Sequence, residues 1–192
     1  LVSIINQHSD ESGIIYCQTR DKVDKLTKNL NEAGIKSLPY HAGLTDFERH
    51  KNQDEFINEN VNIIVATVAF GMGIDKADVR FVVHYNMPKD IESYYQETGR
   101  AGRDGKQAEC LLLYDKSDIA VNTYLIGHDQ PDLEWKDKEL KLLDKMIVYC
   151  NTSGCLRKYL LEYFGERVAS SCNNCGNCSQ AKNATWRRFL KL

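Results

Sequence analysis

Four of the seven cysteines in this sequence are spaced as metal ligands. Cys172, Cys175 and Cys178 form a C-x-x-C-x-x-C run, and Cys155 lies 17 residues upstream of it. The Asn and Gly residues between the closely spaced cysteines permit the tight turns that direct several thiolates to one centre. Four thiolates form a closed tetrahedral zinc shell, which leaves no position for water. The spacing therefore favours one structural Zn²⁺.

Other uses of these four cysteines stay open on the sequence alone. Four thiolates can also hold an iron–sulfur cluster, and the thiols can be unliganded or redox-active. A disulfide pair would require an oxidising compartment, for which nothing else in the sequence argues. The remaining cysteines, Cys17, Cys110 and Cys150, fall inside apolar runs, so we interpret them as small core residues.

Two arginines, Arg100 and Arg103, lie in a run of residues that indicates phosphate chemistry, Q-E-T-G-R-A-G-R-D-G at 96–105. A guanidinium binds phosphate oxygens through its fork of donors, and small neighbours allow a close approach. The alternative is a pair of exposed cations that interact favourably with the dipole at a helix end. That alternative explains one arginine but not the glycines before, between and after the two. The run therefore predicts phosphate recognition.

The elements around these residues alternate between apolar and amphipathic runs. Strands are predicted at 13–17, 37–40, 61–66, 80–84 and 108–114, and helices at 21–33, 45–57, 91–99, 137–150 and 156–164. This alternation predicts an α/β fold, a parallel sheet with helices on both faces. In such sheets functional residues gather in the loops after the carboxyl ends of the strands. Here those loops are 19–20, 41–43 and 67–75.

The pattern changes near Asp115, after which helical segments predominate. We predict an α/β domain over residues 1–120 and a small, mostly helical domain with the four cysteines over 121–180. The boundary is placed between 117 and 135, with a turn at 127–131. Residues 181–192 are a tail or the start of a further domain, and their basic, amphipathic end can begin a helix.

Composition limits the classes of partner. The formal net charge of −2 gives no support for nucleic-acid binding, so any such contact must be local. The sequence lacks an apolar run of the ~20 residues that a membrane span requires, and we expect no membrane partner.

Together, these runs resemble the RecQ family of superfamily 2 DNA helicases. Residues 96–105 are similar to motif VI, 66–76 to motif V and 13–20 to motif IV, and 40–44 match the family's run between motifs IV and V. With the four cysteines, the resemblance covers residues ~1–180. It implies the second RecA-like lobe of a helicase motor followed by a zinc-binding domain.

The resemblance also implies roles for individual residues. Arg100 and Arg103 would reach ATP, held with Mg²⁺ by the preceding RecA-like lobe of the same protein, and one or both would act as arginine fingers. Residues that would face the nucleotide or couple the lobes are Gly73, Asp75 and Gln96. Candidates for binding the DNA backbone are Thr19, Arg20, His41, Thr67 and Lys89. A solvated surface position is an equally good interpretation for Lys89.

Two family motifs are missing from this sequence, the phosphate loop G-x-x-x-x-G-K-[ST] and a D-E-x-H run. The family carries both in the preceding lobe. We therefore expect the C-terminal half of the motor of an ATP-dependent 3′-to-5′ helicase, inactive alone, that acts on single-stranded and partly duplex DNA. The resemblance points to recombination and replication-fork repair, in the cytoplasm (nucleoid) of a bacterium or the nucleus of a eukaryote.

Two alternatives stay open. One is the corresponding lobe of a superfamily 2 RNA helicase. The cysteine pattern and the sequence F-G-M-G-I-D at residues 70–75 argue against it. The other is a non-catalytic, zinc-stapled DNA-binding or scaffold module. ATP turnover after the preceding lobe is restored distinguishes a motor from a scaffold.

Overall fold

The structure, a computed structural model, describes residues 1–71, 76–129, 132–168, 171–179 and 188–191. Its helices are α1 (Val2–Gln7), α2 (Arg20–Glu32), α3 (Asp46–Ile57), α4 (Ile91–Thr98), α5 (Ser117–Asp129), α6 (Leu133–Asn151) and α7 (Leu156–Tyr163). Its strands are β1 (Ser12–Tyr16), β2 (Ser37–Tyr40), β3 (Ile63–Ala66), β4 (Val79–His84), β5 (Glu109–Leu112) and β6 (Arg188–Lys191). Among the described helices, none is long and apolar enough to span a membrane.

The strands form one sheet in the order β2-β3-β1-β4-β5-β6. β1 pairs in parallel with β3 and β4, and β3 pairs in parallel with β2. Tyr16 lies opposite both Ala66 and His84, and Tyr40 lies opposite Ala66. The carboxyl ends of these four strands therefore form one row, and the loops that follow them leave the sheet at one edge. The predicted parallel α/β fold is confirmed.

The central strands are apolar because the sheet is covered on both faces. Every residue of β1, β3 and β4 is buried, as expected of a parallel sheet between helices. Gly13 in β1 leaves room for a neighbouring aromatic ring, since a Cβ there would lie 2.0 Å from the ring of Phe81. Cys17 and Cys110 are buried as predicted, at 4% and 0% exposed.

The helices on this sheet begin at residues that the sequence identifies. Thr19 caps α2 by accepting a hydrogen bond from the backbone N–H of Lys22. Thr45 and Glu48 form the predicted capping box at the start of α3, in which each side chain accepts from the other residue's backbone N–H. α2 buries the residues that the periodicity predicts, Val23, Leu26 and Leu30.

The chain divides into two compact units that are not continuous in sequence. The first comprises residues 1–85 and 97–110, and the second comprises 86–96 and 111–191. The segment 86–96 belongs to the second unit because Asp118 of α5 accepts hydrogen bonds from Asn86 Nδ2 and Met87 N, at 2.9 and 3.0 Å. The predicted boundaries at 120 and 180 stay predictions.

The second unit has a mainly helical core of stacked aromatic and aliphatic side chains. The ring of Tyr149 lies 5.3 Å from that of Tyr94 and 5.6 Å from that of Tyr159. Leu143, Met146 and Cys150 of α6 are buried as well.

One feature of the second unit differs from the sequence prediction. Helix α5 extends to Asp129, so the predicted turn at 127–131 is wrong over its first three residues. For the end of the chain the sequence favours no single structure, and there Arg188–Lys191 forms strand β6 beside β5.

Gly13→Ala should destabilise the first unit, because the added methyl group must displace the buried ring of Phe81. The expected loss is about 1–3 kcal/mol, typical of overpacking a core, measured by urea denaturation. Phe81→Leu in the same chain should recover part of that loss by opening space beside the new methyl group. An alanine variant as stable as the wild type would contradict the packing described for β1 and β4.

Candidate phosphate-binding and metal sites

Arg100 is a buried guanidinium at the turn that follows α4. It is 7% exposed and lies against Gly71, where a Cβ would come within 2.7 Å of its Nη2 atom. Among the residues that the structure describes, its Nε atom has no hydrogen-bond partner. Glycine at position 71 therefore allows motif V to touch the first arginine of motif VI.

Tyr16 lies beside Arg100 at the carboxyl end of β1. Its hydroxyl donates a hydrogen bond of 2.9 Å to the backbone oxygen of Phe70. Burial raises the pKa of Tyr16, and the positive charge of the Arg100 guanidinium offsets part of that increase. The phenol is therefore neutral and lies between the motif V turn and the arginine.

Two buried residues of the first unit, His84 and Glu97, lie next to Tyr16 and Arg100. The His84 Nε2 and Glu97 Oε2 atoms are 2.7 Å apart, and the residues are 1% and 6% exposed. The His84 ring stacks on Tyr16, with 5.4 Å between ring centroids. The Glu97 carbonyl accepts a hydrogen bond from the Arg100 backbone N–H, at 3.3 Å. Sequence analysis missed both residues, although a histidine that ends an apolar strand is a usable signal.

The loop that carries Arg103 has a conformation that requires glycine. Gly102 has a φ of +67°, and a Cβ there would lie 2.8 Å from the backbone oxygen of Lys106. The N–H groups of Gly102 and Asp104 donate to the carbonyls of Val79 and Ala77, at 2.9 and 3.1 Å. These bonds hold the loop against the start of β4.

Arg80 fixes the same loop through its side chain. Its Nη2 atom donates to Asp104 Oδ1 and its Nη1 atom donates to the Gln107 carbonyl, the latter at 3.1 Å. The hydrogen bond from Arg80 is the main reason that the pKa of Asp104 lies below its usual value. Arg103 is exposed on this loop, with its Nε atom donating to the Gly99 carbonyl at 3.3 Å. Arg80 is a positioning residue that sequence analysis missed.

Of the other residues predicted to face the nucleotide or couple the lobes, the structure describes only Gln96. Gly73 and Asp75 lie outside the residues that the structure describes. Gln96 is an exposed residue of α4 and belongs to the second unit. Their predicted roles stay predictions.

Four predicted DNA-binding residues follow three adjacent strands at the carboxyl edge of the sheet. Thr19 and Arg20 follow β1, His41 follows β2 and Thr67 follows β3. The Thr67 hydroxyl accepts from the Ala69 N–H at 3.4 Å, and Arg20 is exposed. The parallel strands thus bring these four residues to one edge, and DNA binding by them stays a prediction.

His41 differs from an exposed phosphate-binding cation. It is 5% exposed, its Nε2 atom lies 2.9 Å from Asp24 Oδ1, and its Nδ1 atom accepts from the Gly43 N–H at 3.1 Å. An accepting Nδ1 requires the neutral ring with its proton on Nε2. In this structure His41 therefore shapes the turn after β2.

Lys89 lies in the second unit with two acidic partners. Its Nζ atom is 3.1 Å from Glu139 Oε2 and 3.7 Å from Asp90 Oδ2. Partial burial by itself lowers the pKa of Lys89, but these ion pairs exceed that effect and raise it. Phosphate binding and a solvated surface position both stay interpretations of Lys89. The structure adds a third role, ion pairing with Asp90 and Glu139.

The four predicted zinc ligands meet in the second unit. The Sγ atoms of Cys155, Cys172, Cys175 and Cys178 lie within 4.8 Å of one another, and those of Cys155 and Cys175 are 3.9 Å apart. Ligands ~2.3 Å from a tetrahedral zinc ion would be separated by about 3.8 Å. The four thiols therefore fit a single zinc ion, and each of the seven cysteines is a free thiol.

The local backbone favours thiolates at this centre. The N–H groups of Leu156 and Lys158 donate to the sulfurs of Cys175 and Cys155, both at 3.4 Å. A hydrogen bond from Ser171 lowers the pKa of Cys178 to about 6, whereas burial raises that of Cys155. A bound divalent cation would favour the thiolate form of all four cysteines.

The cysteine loop is also tied to the turn between α6 and α7. The side-chain amide of Asn177 donates to the carbonyls of Thr152 and Gly154, at 3.0 and 2.7 Å. Cys155 itself caps α7. The metal centre therefore joins the start of α7 to the C-x-x-C-x-x-C loop.

Comparison with known proteins identifies the family. Residues 1–105 match the helicase conserved C-terminal domain, and residues 116–179 match the RecQ zinc-binding domain. The chain belongs to the RecQ family of helicases. Its RecQ relatives include the ATP-dependent DNA helicase RecQ of Bacillus subtilis, 46% identical over 180 residues, which are 93% of this chain and 30% of that protein.

A viral protein and a solved bacterial structure are also similar to this chain. The putative ATP-dependent RNA helicase R290 of Acanthamoeba polyphaga mimivirus is 42% identical over 178 residues, 93% of this chain and 32% of that protein. The crystal structure of the E. coli DEAD-box protein SrmB superposes with a TM-score of 0.55 at 24% identity, over 65% of this chain and 75% of that chain. At this identity, the likeness to SrmB is evidence for the RecA-like fold and not for a function. This RecQ-family chain spans 30% of the length of the Bacillus subtilis relative and 32% of that of the mimivirus relative.

The stability contributed by the Arg80–Asp104 pair should depend on pH. The pKa of Asp104 is lowered by folding, so the contribution is present above the unfolded value of about 3.9 and is lost as the pH falls through the folded value. Asp104→Asn should therefore lower the melting temperature most at neutral pH and progressively less below pH ~4. An unchanged difference across this range, or one that persists when Arg80→Met is added, would contradict the pairing.

Metal analysis should find one zinc ion per chain, without iron and without the visible absorption of an iron–sulfur cluster. Cys178→Ser should lose most of the zinc and unfold the second unit, since zinc binding supplies about 10–16 kcal/mol in small zinc domains. Cys17→Ala serves as the control, because Cys17 is a buried residue of the first unit and should leave the zinc content at one. Iron in the wild-type protein would show that the centre holds a cluster instead.

Proposed function

We propose that this chain is the C-terminal half of the motor of an ATP-dependent 3′-to-5′ DNA helicase. The observation that supports this most is the position of Arg100, a buried guanidinium that contacts the motif V glycine Gly71. It lies beside Tyr16, at the edge where the nucleic-acid candidates gather. A motor needs ATP chemistry and nucleic-acid binding to be close enough to affect each other.

In this proposal Arg100 and Arg103 stabilise charge that develops on the transferring γ-phosphoryl group. A guanidinium supplies several directed N–H donors to phosphate oxygens and stays charged at any physiological pH. Arg103 is exposed on a loop held by Arg80, so its side chain can extend to a partner. Arg100 is preorganised by burial, and preorganised charge is worth more than charge in water.

The nucleotide itself would be seated by a preceding lobe of the longer protein. This sequence has no phosphate loop, and the chain spans 30% of the Bacillus subtilis relative. These residues therefore lack the phosphate loop that would bind ATP and its Mg²⁺. Residues 1–192 alone should neither hydrolyse ATP nor unwind DNA, and should regain turnover only with that lobe.

Nucleic acid would bind along the carboxyl edge through Thr19, Arg20 and Thr67. Hydroxyl and guanidinium groups bind phosphate oxygens, and such contacts carry no sequence information. That property suits a protein that moves along any sequence. Single-stranded DNA next to a duplex is the substrate we propose, and the zinc ion holds the second unit folded.

RNA is the second candidate substrate, because the mimivirus relative is named a putative RNA helicase. One fold can serve both DNA and RNA helicases, so the substrate is decided by experiment. ATP turnover of the longer protein should be stimulated more by single-stranded DNA than by RNA of the same length. A stronger response to RNA would favour the second candidate, and no response to either would favour a non-catalytic module.

In the longer protein, Arg103→Ala and Arg100→Ala should each lower DNA-stimulated ATP turnover by about 10³-fold or more, the range of an arginine finger. ATP affinity, measured by fluorescent-nucleotide titration, should fall by less than about tenfold, since a finger acts mainly on the transition state. Arg49→Ala, which removes a surface arginine paired with Asp46, is the matched control. Full turnover in both motif VI variants would exclude the proposed chemistry.

A further inference from the structure

Tyr16 ties strand β1 to the motif V turn. Its hydroxyl donates to the Phe70 carbonyl at 2.9 Å. The next residue, Gly71, lies against the Arg100 guanidinium, since a Cβ there would come within 2.7 Å of its Nη2 atom. The hydroxyl therefore holds the backbone on which the first arginine of motif VI packs.

The motif V turn leads directly to a nucleic-acid candidate. The Phe70 N–H donates to the Thr67 carbonyl at 3.0 Å, closing a tight turn over 67–70. The Thr67 N–H donates to the Tyr40 carbonyl at the end of β2. A shift of Thr67 on binding a phosphate group would therefore move the Phe70 carbonyl to which Tyr16 is bonded.

The ring of Tyr16 is held in place, so its hydroxyl is a fixed point for the Phe70 carbonyl. Tyr16 is 3% exposed, and its ring stacks on His84. His84 is in turn held by the buried carboxylate of Glu97, whose backbone oxygen accepts from the Arg100 N–H. Interactions of this kind are stronger in a buried site than in water.

We propose that Tyr16 is a positioning residue that couples nucleic-acid binding at Thr67 to the placement of Arg100. The coupling rests on the proposed function, because it requires Arg100 to act on ATP and Thr67 to bind a phosphate group. When nucleic acid binds Thr67 and shifts the 67–70 turn, the bond from the Tyr16 hydroxyl guides the Phe70 carbonyl, and with it Gly71, against the Arg100 guanidinium. ATP turnover then responds to nucleic acid through the backbone that this hydrogen bond holds.

Tyr16→Phe in the longer protein tests the coupling, because it removes the hydroxyl and keeps the ring. ATP turnover is measured with and without saturating single-stranded oligodeoxynucleotide. The stimulation ratio should fall by about 5- to 10-fold, the range of modest coupling between two sites. The dissociation constant for the oligonucleotide and the KM for ATP should change by less than about threefold, since Tyr16 is only 3% exposed and a positioning residue need not alter ground-state binding.

Two controls separate coupling from a general structural effect. Tyr159→Phe removes another hydroxyl that donates to a backbone carbonyl, that of Lys145, and should leave the stimulation ratio unchanged. In an Arg100→Ala background, Tyr16→Phe should have no further effect on the ratio, as expected when one residue acts through the other. Thermal unfolding confirms that each variant is folded at the assay temperature.

An unchanged stimulation ratio in Tyr16→Phe would overturn the inference, as would an equal fall in stimulated and unstimulated turnover. Either result differs from failure of the proposed function. If the wild-type protein shows no nucleic-acid-stimulated turnover at all, it is the helicase proposal that fails.

Discussion

Parallel pairing of β2, β3, β1 and β4 is the constraint on which the proposed site depends. It places Tyr40, Ala66, Tyr16 and His84 in one row, so four segments distant in sequence begin their loops side by side. Every residue of β1, β3 and β4 is buried. A shift of one residue would turn each of their side chains to the opposite face of the sheet and displace the loops from one another.

Buried polar groups near these strands cost the fold stability. Arg100, His84 and Glu97, and Arg80 at the start of β4, are at most 9% exposed, and burial of a charge is costly unless it is paired or hydrogen-bonded. His84 and Glu97 pair with each other, and Arg80 is held by Asp104 and two backbone carbonyls. Packing of this kind fixes the guanidinium groups in place before any ligand arrives, which is the requirement for electrostatic stabilisation of a transition state.

The sequence predicted the parallel sheet, the capped helices and the meeting of the four cysteines, because periodicity, caps and spacing are local signals. It did not predict that 86–96 belongs to the second unit, since that depends on Asp118 bonding to the backbone of Met87 across a long separation in sequence. Arg80 and His84 were missed for the same reason: each lies within a strand, and its partner comes from a loop or helix further along the chain. His41 was identified from its motif, but its buried, doubly bonded ring became visible only in three dimensions.

The central claim is that the two arginines of motif VI act on the transition state for phosphoryl transfer. Affinity for ADP with aluminium fluoride, a mimic of that state, tests it most directly in the longer protein bound to single-stranded DNA. Wild type should bind this complex much more tightly than ADP alone, and Arg103→Ala should lose most of that gain with ADP affinity unchanged. Equal losses of affinity for both ligands, or no loss for either, would contradict the account.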